Sequence, residues 1–312
     1  MVGAGAIVVI LFCLGTEPRF EGFTVRQLLR RAGQDPAARQ ILVRAGDRAV
    51  PSLTRLLAAR EPWFSRALSS VAPFLPERLR RHLPPRIDPL PGQLMAIEIL
   101  NQQGTNAAAA LPELIRALGH PDVRVVDRAA SALAKLEAAS AALPLTRLLT
   151  NQSEFLRVVG LTALGKITVK PEIAVPAIVE RLQDREPAVK NAAAWALWRY
   201  GPLGTDAYTA LLPLLQDPDP SVRRTAYYAM MRVSPSEAGT VAALVAGLKD
   251  TDPSIRITVI EALGKCGPAA KPAVPAILEA MRNEVGGIWR YGRAALLRIA
   301  PETPEASMLL AE

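Results

Sequence analysis

Apolar side chains recur along this chain at two nested intervals. Within short stretches they fall at i, i+4 and i+8, as Val222, Ala226 and Met230 do, which puts them on one side of a helix. Along the whole chain the stretches return every 33 residues: Leu164, Leu197, Met230, Leu263 and Leu296 keep that step, and Arg157, Lys190, Arg223 and Arg256 stand seven positions ahead of the first four. A period of this length marks stacked units that bury their apolar faces against one another, each touching only its neighbours. No strand-like alternation of Val, Ile and Thr is sustained beyond the first 15 residues.

The punctuation between the apolar stretches repeats as well. Asp217-Pro-Asp-Pro-Ser-Val-Arg-Arg-Thr-Ala has counterparts in Asp184-Arg-Glu-Pro-Ala-Val-Lys-Asn-Ala-Ala and Asp250-Thr-Asp-Pro-Ser-Ile-Arg-Ile-Thr-Val. Each follows one apolar helix and opens a second that closes near a glycine, as in Glu261-Ala-Leu-Gly-Lys-Cys-Gly. Asp caps a helix start, Pro is cheap in a first helical turn where its missing N–H would be unpaired anyway, and Gly ends the helix. The unit is therefore a helical hairpin.

With Pro51, Pro112, Pro144, Pro176 and Pro275 in the first helices, the turn aspartates and the basic residue after Val or Ile, this pattern resembles the HEAT repeat. It is most similar to the short bacterial variety named after phycobilisome lyases. The resemblance covers about residues 107–300 in six units, with Thr209 and Ala242 in place of the proline in two, Val126 at the basic position of the unit at 108–140, and Trp289 there in the last. It implies an all-α fold: a right-handed α-solenoid of stacked antiparallel helix pairs, a HEAT/armadillo-like superhelix. Residues 17–106 are expected to hold a lead-in helix and a first repeat, from Ala49-Val-Pro-Ser to Gln93-Leu-Met-Ala, split by a Pro- and Arg-rich insertion at 61–91; residues 301–312 form a tail. Phe20-Glu-Gly-Phe-Thr-Val-Arg-Gln-Leu-Leu resembles a motif that follows the signal segment of exported bacterial HEAT proteins.

Charge changes the picture less than its total suggests. The net charge is +8, but residues 1–90 carry fourteen Arg against seven acids, whereas residues 91–312 carry 23 Lys and Arg against 22 acids. An array that wraps a phosphate backbone would hold the excess on its repeats, so no nucleic-acid partner is expected. Ahead of the array, Val2 to Gly15 is uncharged and apolar. At about 1.5 Å per residue such a helix reaches about 21 Å, short of a bilayer core of roughly 30 Å, and suits a signal-peptide core better than a full span. No Lys or Arg precedes the run, no small-x-small cleavage site follows it, and Arg19, Arg26, Arg30 and Arg31 just behind it would be held on the cytoplasmic side. A buried first strand or helix is the alternative. Residues 1–16 are expected to export or anchor the chain, which places it in a bacterial cell envelope.

Candidate chemistry is sparse. Cys13 and Cys266 are the only cysteines and His82 and His120 the only histidines, too few and too scattered for a disulfide framework, a metal cluster or a Ser-His-Asp set, so no metal and no cofactor is expected. Gly286-Gly287 lacks the Lys-Ser or Lys-Thr of a phosphate loop. His120, ahead of Pro121, fills the place of the turn Asp. The column Arg157, Lys190, Arg223 and Arg256 with Asp184, Asp217 and Asp250 is read as a structural ladder between neighbouring units, as the HEAT resemblance implies, in preference to an anion-binding strip. Trp195 and Trp198 lie off the buried stripe of their helix, and one period on are Tyr228 and Met231. These four either form a partner-binding patch confined to two repeats or belong to a helix that packs deeper.

The expected function is a non-enzymatic scaffold that holds a protein or peptide partner. The alternative is an enzyme or enzyme subunit on a HEAT-like frame, for which the resemblance offers a bilin lyase and a DNA glycosylase.

Overall fold

The computed structural model describes residues 18–59, 74, 76–77, 88–233, 238–283 and 287–302. The apolar segment at 1–16, most of the insertion at 61–91 and nearly all of the 301–312 tail lie outside the described residues. Two compact units divide after Ala138. Among the described residues the only sheet is a hairpin of two two-residue strands, β1 (Arg19–Phe20) and β2 (Phe23–Thr24). Everything else regular is helical, the α-solenoid class that the repeat pattern predicts.

In the first unit, Glu21 and Gly22 take positive φ to turn the hairpin, and Thr24 then starts α1 (Val25–Ala32) with a capping box: its hydroxyl accepts from the Gln27 amide while Gln27 Oε1 accepts from the Thr24 amide. Asp35 caps α2 (Pro36–Arg44). The two halves of the split repeat, α3 (Val50–Leu57) and α4 (Leu90–Gln103), pack on each other. Buried Gln93 donates from Nε2 to the carbonyls of Leu57 and Ala59, at 3.2 and 2.7 Å, and so covers the frayed end of α3. The pair α5 (Leu111–Ala117) and α6 (Val123–Lys135) follows, with α6 against α4.

The second unit holds five more hairpins. Their second helices are α8 (Glu154–Ile167), α10 (Pro187–Tyr200), α12 (Pro220–Val233), α14 (Pro253–Cys266) and α16 (Gly287–Ile299), and each packs on the next. The first helices are α7 (Ala142–Leu148), α9 (Pro171–Arg181), α11 (Tyr208–Leu211), α13 (Ala238–Gly247) and α15 (Val274–Asn283). Leu164, Leu197, Met230, Leu263 and Leu296 are all buried, with at most 1% exposure, so the 33-residue series is the spine of the core.

Two departures from the plain hairpin have local causes. After α11 the chain tightens into a 3-10 segment, Leu212–Gln216, because Pro213 can neither donate an amide hydrogen nor admit the carbonyl four residues back. Helix α9 begins at Pro171, so Pro176 lies inside it and not at its first turn.

Helices α8, α10 and α14 end on a residue with positive φ. Gly201 (+54°) and Gly267 (+58°) adopt it freely, whereas Thr168 holds the same place at +48° with a branched side chain. Thr168→Gly is therefore expected to raise stability by about 1 kcal/mol, read as an increased urea midpoint; an unchanged or lower midpoint would count against the strain.

Candidate functional site

Two sets of side chains run from repeat to repeat. The first is in the interhelix turns. Arg157 donates to its own turn's carbonyls at Asn151 (3.0 Å) and Gln152 (3.1 Å) and, from Nη2, to Asp184 Oδ1 of the next repeat at 2.9 Å. Lys190 reaches Asp217 of the next repeat through its Nζ. Arg223 grips Asp250 with a two-pronged contact, Nε to Oδ2 and Nη2 to Oδ1, both 2.8 Å, and also donates to the carbonyls of Asp217 and Pro218. Arg256 donates to the Asp250 carbonyl at 2.6 Å. These groups are nearly sealed from water: Arg157 and Asp184 are each 7% exposed at the side chain.

Each turn aspartate has a second task. Asp184, Asp217 and Asp250 accept through Oδ1 the amide two residues on, at 3.1, 2.9 and 2.9 Å, which folds the turn that launches the second helix. Asn151 does this in the repeat of α7, and His120 Nδ1 accepts the Asp122 amide at 3.0 Å in the turn before α6. That turn carries no rung of the same kind. Val126 at the basic position is buried, and Arg124, two residues ahead of it, pairs instead with Asp122 of its own turn, pulling that carboxyl down to about 2.

The rungs set carboxyl acidity. Burial pushes Asp184 up, but donors from Arg157 and the Glu186 amide outweigh it and leave the group below its ordinary 3.8. Asp250 is lowered, first by the Arg223 hydrogen bonds, against a desolvation that raises it.

The second set lies on the second helices. Trp195 rests on the preceding repeat, where position 165 must be glycine: a Cβ there would stand 2.7 Å from Trp195 Cζ3 and 3.0 Å from Ala196 Cα. Trp195 is part-buried. Trp198 is part-buried under the Arg232 guanidinium, 5.6 Å from its ring centre, and Tyr228 is part-buried on the next helix. Met231 is different. At 7% exposure it belongs to the core, because one period from Trp198 the helix turns that position inward, and it is no part of an open patch. The structure thus brings Trp195, Trp198 and Tyr228 to one face of two neighbouring helices and removes Met231 from it. Gly165 was the sequence signal for the seat of Trp195, legible only once the helix on which it packs is known.

Among the described residues no group of three or more His, Cys, Asp and Glu gathers as a metal would require, and no helix is long and apolar enough to cross a membrane. Cys266 is half-buried, which pushes its thiol up. Cys13, His82 and Gly286 lie outside the described residues.

A family model described as HEAT repeats matches residues 144–231 and 208–298. This is a HEAT-repeat chain. Solved HEAT and armadillo structures match it widely at low identity. Kap121p bound to Pho4p aligns at 13% identity and a TM-score of 0.57, over 88% of this chain and 32% of that one. Kap121p bound to RanGTP aligns at 14% and 0.55, over 88% and 33%, so the HEAT chain spans about a third of that protein. The CpcE–CpcF complex of phycocyanin lyase from Nostoc sp. PCC7120 aligns at 22% identity and a TM-score of 0.43, over 76% and 96%. A comparison with curated proteins finds no match.

Arg223→Ala leaves Asp250 desolvated without its fork and is expected to cost roughly 3 kcal/mol in urea unfolding. Because Asp184 and Asp250 titrate below their unfolded value of 3.8, their contribution is complete above about pH 5 and is lost as pH falls through the folded values. Urea midpoints should therefore be level from pH 8 to about 5 and drop below about pH 4, with a shallower drop in Arg223→Ala; a parallel drop would show that Asp250 is not one of the groups responsible.

Proposed function

We propose that this HEAT array is a non-enzymatic scaffold that captures a protein or peptide partner on the face of its second helices, with Trp195, Trp198 and Tyr228 as the anchors. The carrying observation is the placement of three large rings, part-open, on adjacent helices whose other large apolar side chains, Val189, Leu197, Val222 and Met230 among them, are buried. Large aromatic groups supply contact area at low entropic cost and dominate many interfaces. A stack also offers a long, shallow surface suited to a chain-like or flat partner and not to a small molecule. Kap121p, which has this fold, is bound to protein partners in the structures above.

The ladder's role in this reading is to hold register. It fixes each second helix against the next, so the anchors on α10 and α12 stay in a constant relation. The apolar run at 1–16 supplies the means of export or membrane attachment, and a tagged full-length protein is expected in the membrane or periplasmic fraction of its bacterium.

The anchors are tested with Trp198→Ala and Tyr228→Ala together. Neither ring is a core residue, so the melting temperature should drop by only a few degrees while the amount of partner co-purifying with the tagged protein falls at least about tenfold. Undiminished capture with a folded variant would refute the assignment. A loss of several kcal/mol would place the rings in the core.

A further inference from the structure

Near-neutrality of the array is an average over faces, and the second-helix face is not neutral. In every second helix of the second unit one stripe at i, i+4 and i+8 stays open or part-open: 158, 162, 166; 191, 195, 199; 224, 228, 232; 257, 261, 265; 290, 294, 298. This stripe contains Trp195 and Tyr228. It also contains a basic residue at its last position in all five helices: Lys166, Arg199, Arg232, Lys265 and Arg298, all exposed. Against seven basic residues on the stripe stands one acid, Glu261.

The acids of these repeats are elsewhere. Asp184, Asp217 and Asp250 face the turns, where Arg157, Lys190 and Arg223 are used up. Cations in the last turn of a helix complement its dipole, and Arg199 Nε does donate to the Gly165 carbonyl at 3.2 Å. That accounts for the last position only. Arg224 and Arg290 sit near the starts of α12 and α16, where the dipole disfavours a cation, and both are exposed. The stripe is thus more cationic than helix stability requires.

From this we infer that the face accepts an acidic, extended peptide segment running across the second helices, with an apolar side chain seated between Trp195, Trp198 and Tyr228. The inference rests on the scaffold reading and names its partner class. Stacked helices are about 8–10 Å apart, and an extended chain in the polyproline II conformation rises about 3.1 Å per residue with about three residues per turn, so carboxylates at every third position share one side and meet one basic residue per repeat. Nucleic acid fits less well: one or two cations per helix are sparse beside a duplex charge about every 1.7 Å, and Glu261 would oppose a continuous phosphate run.

The test uses the full-length protein and fluorescence anisotropy with a labelled peptide of about 16 residues, glutamate at every third position and leucine and serine between. Its lysine counterpart and a short DNA duplex are run beside it at about 50 and about 300 mM salt. The glutamate peptide should bind, the lysine peptide should not, and Arg224→Glu with Arg290→Glu should weaken binding at least about tenfold. Those two substitutions put acids near helix N-termini, where the dipole favours them, so the fold is kept; Lys265→Gln, at an exposed site, gives an independent loss of a few fold.

No binding of the glutamate peptide, equal binding of both peptides, or indifference to the charge variants overturns the inference. So does tighter binding of the duplex lost with the same variants. Failure of the scaffold reading looks different. If the natural partner is still captured by the charge variants but lost by Trp198→Ala with Tyr228→Ala, the scaffold stands and the acidic segment falls. If neither pair of substitutions affects capture, both fall.

Discussion

A hairpin of about 33 residues cannot bury enough apolar surface to be stable alone, so the constraint that governs this protein is that burial must be shared between neighbours. Leu164, Leu197, Met230, Leu263 and Leu296 meet it by lying at the same height on successive helices, fully covered. Shared burial has a weakness: apolar contact is non-directional, and a helix can slide along its neighbour at little cost. The turn ladder removes that freedom. A guanidinium that must meet two carbonyls of its own turn and both oxygens of the next turn's Asp has few acceptable positions, and Arg223 has found one.

The ladder also shapes the surface. By fixing three basic side chains and three aspartates together inside the turns, it withdraws both from solvent. What is left on the second-helix face is the aromatic group and the remaining Lys and Arg. The same repeat that makes the core therefore makes an extended strip of constant pitch, whose chemistry varies from helix to helix at the middle position: Thr162, Trp195, Tyr228, Glu261, Ala294. Constant spacing with varied contents is how a stack can read a long ligand without a cleft.

Much of this was legible in advance, and for stated reasons. Proline, Asp and Gly each mark one backbone event, so the hairpins, their turns and the positive φ at Gly201 and Gly267 could be read from residue type. The basic column could be paired with the aspartates because both recur with one period. The two-residue hairpin before α1 gave no periodic signal, being too short for one. The inward turn of Met231 could not be read from its place one period after Trp198, because translation by 33 preserves position along the helix but not its exact rotation toward the neighbour. The neutrality of residues 91–312 concealed a charged face, because a sum over sequence carries no direction.

By itself, then, the order of residues determined the unit, its period, its caps and its buried series, all of which depend on local backbone preferences and on spacing within one helix. Only the tertiary structure decided which side of each helix remained open, which cations were spent in rungs and which ring found a glycine to rest on. Those outcomes depend on how one helix meets the next, and the contacts that settle them, such as Trp195 on Gly165 and Arg157 on Asp184, join residues about thirty positions apart.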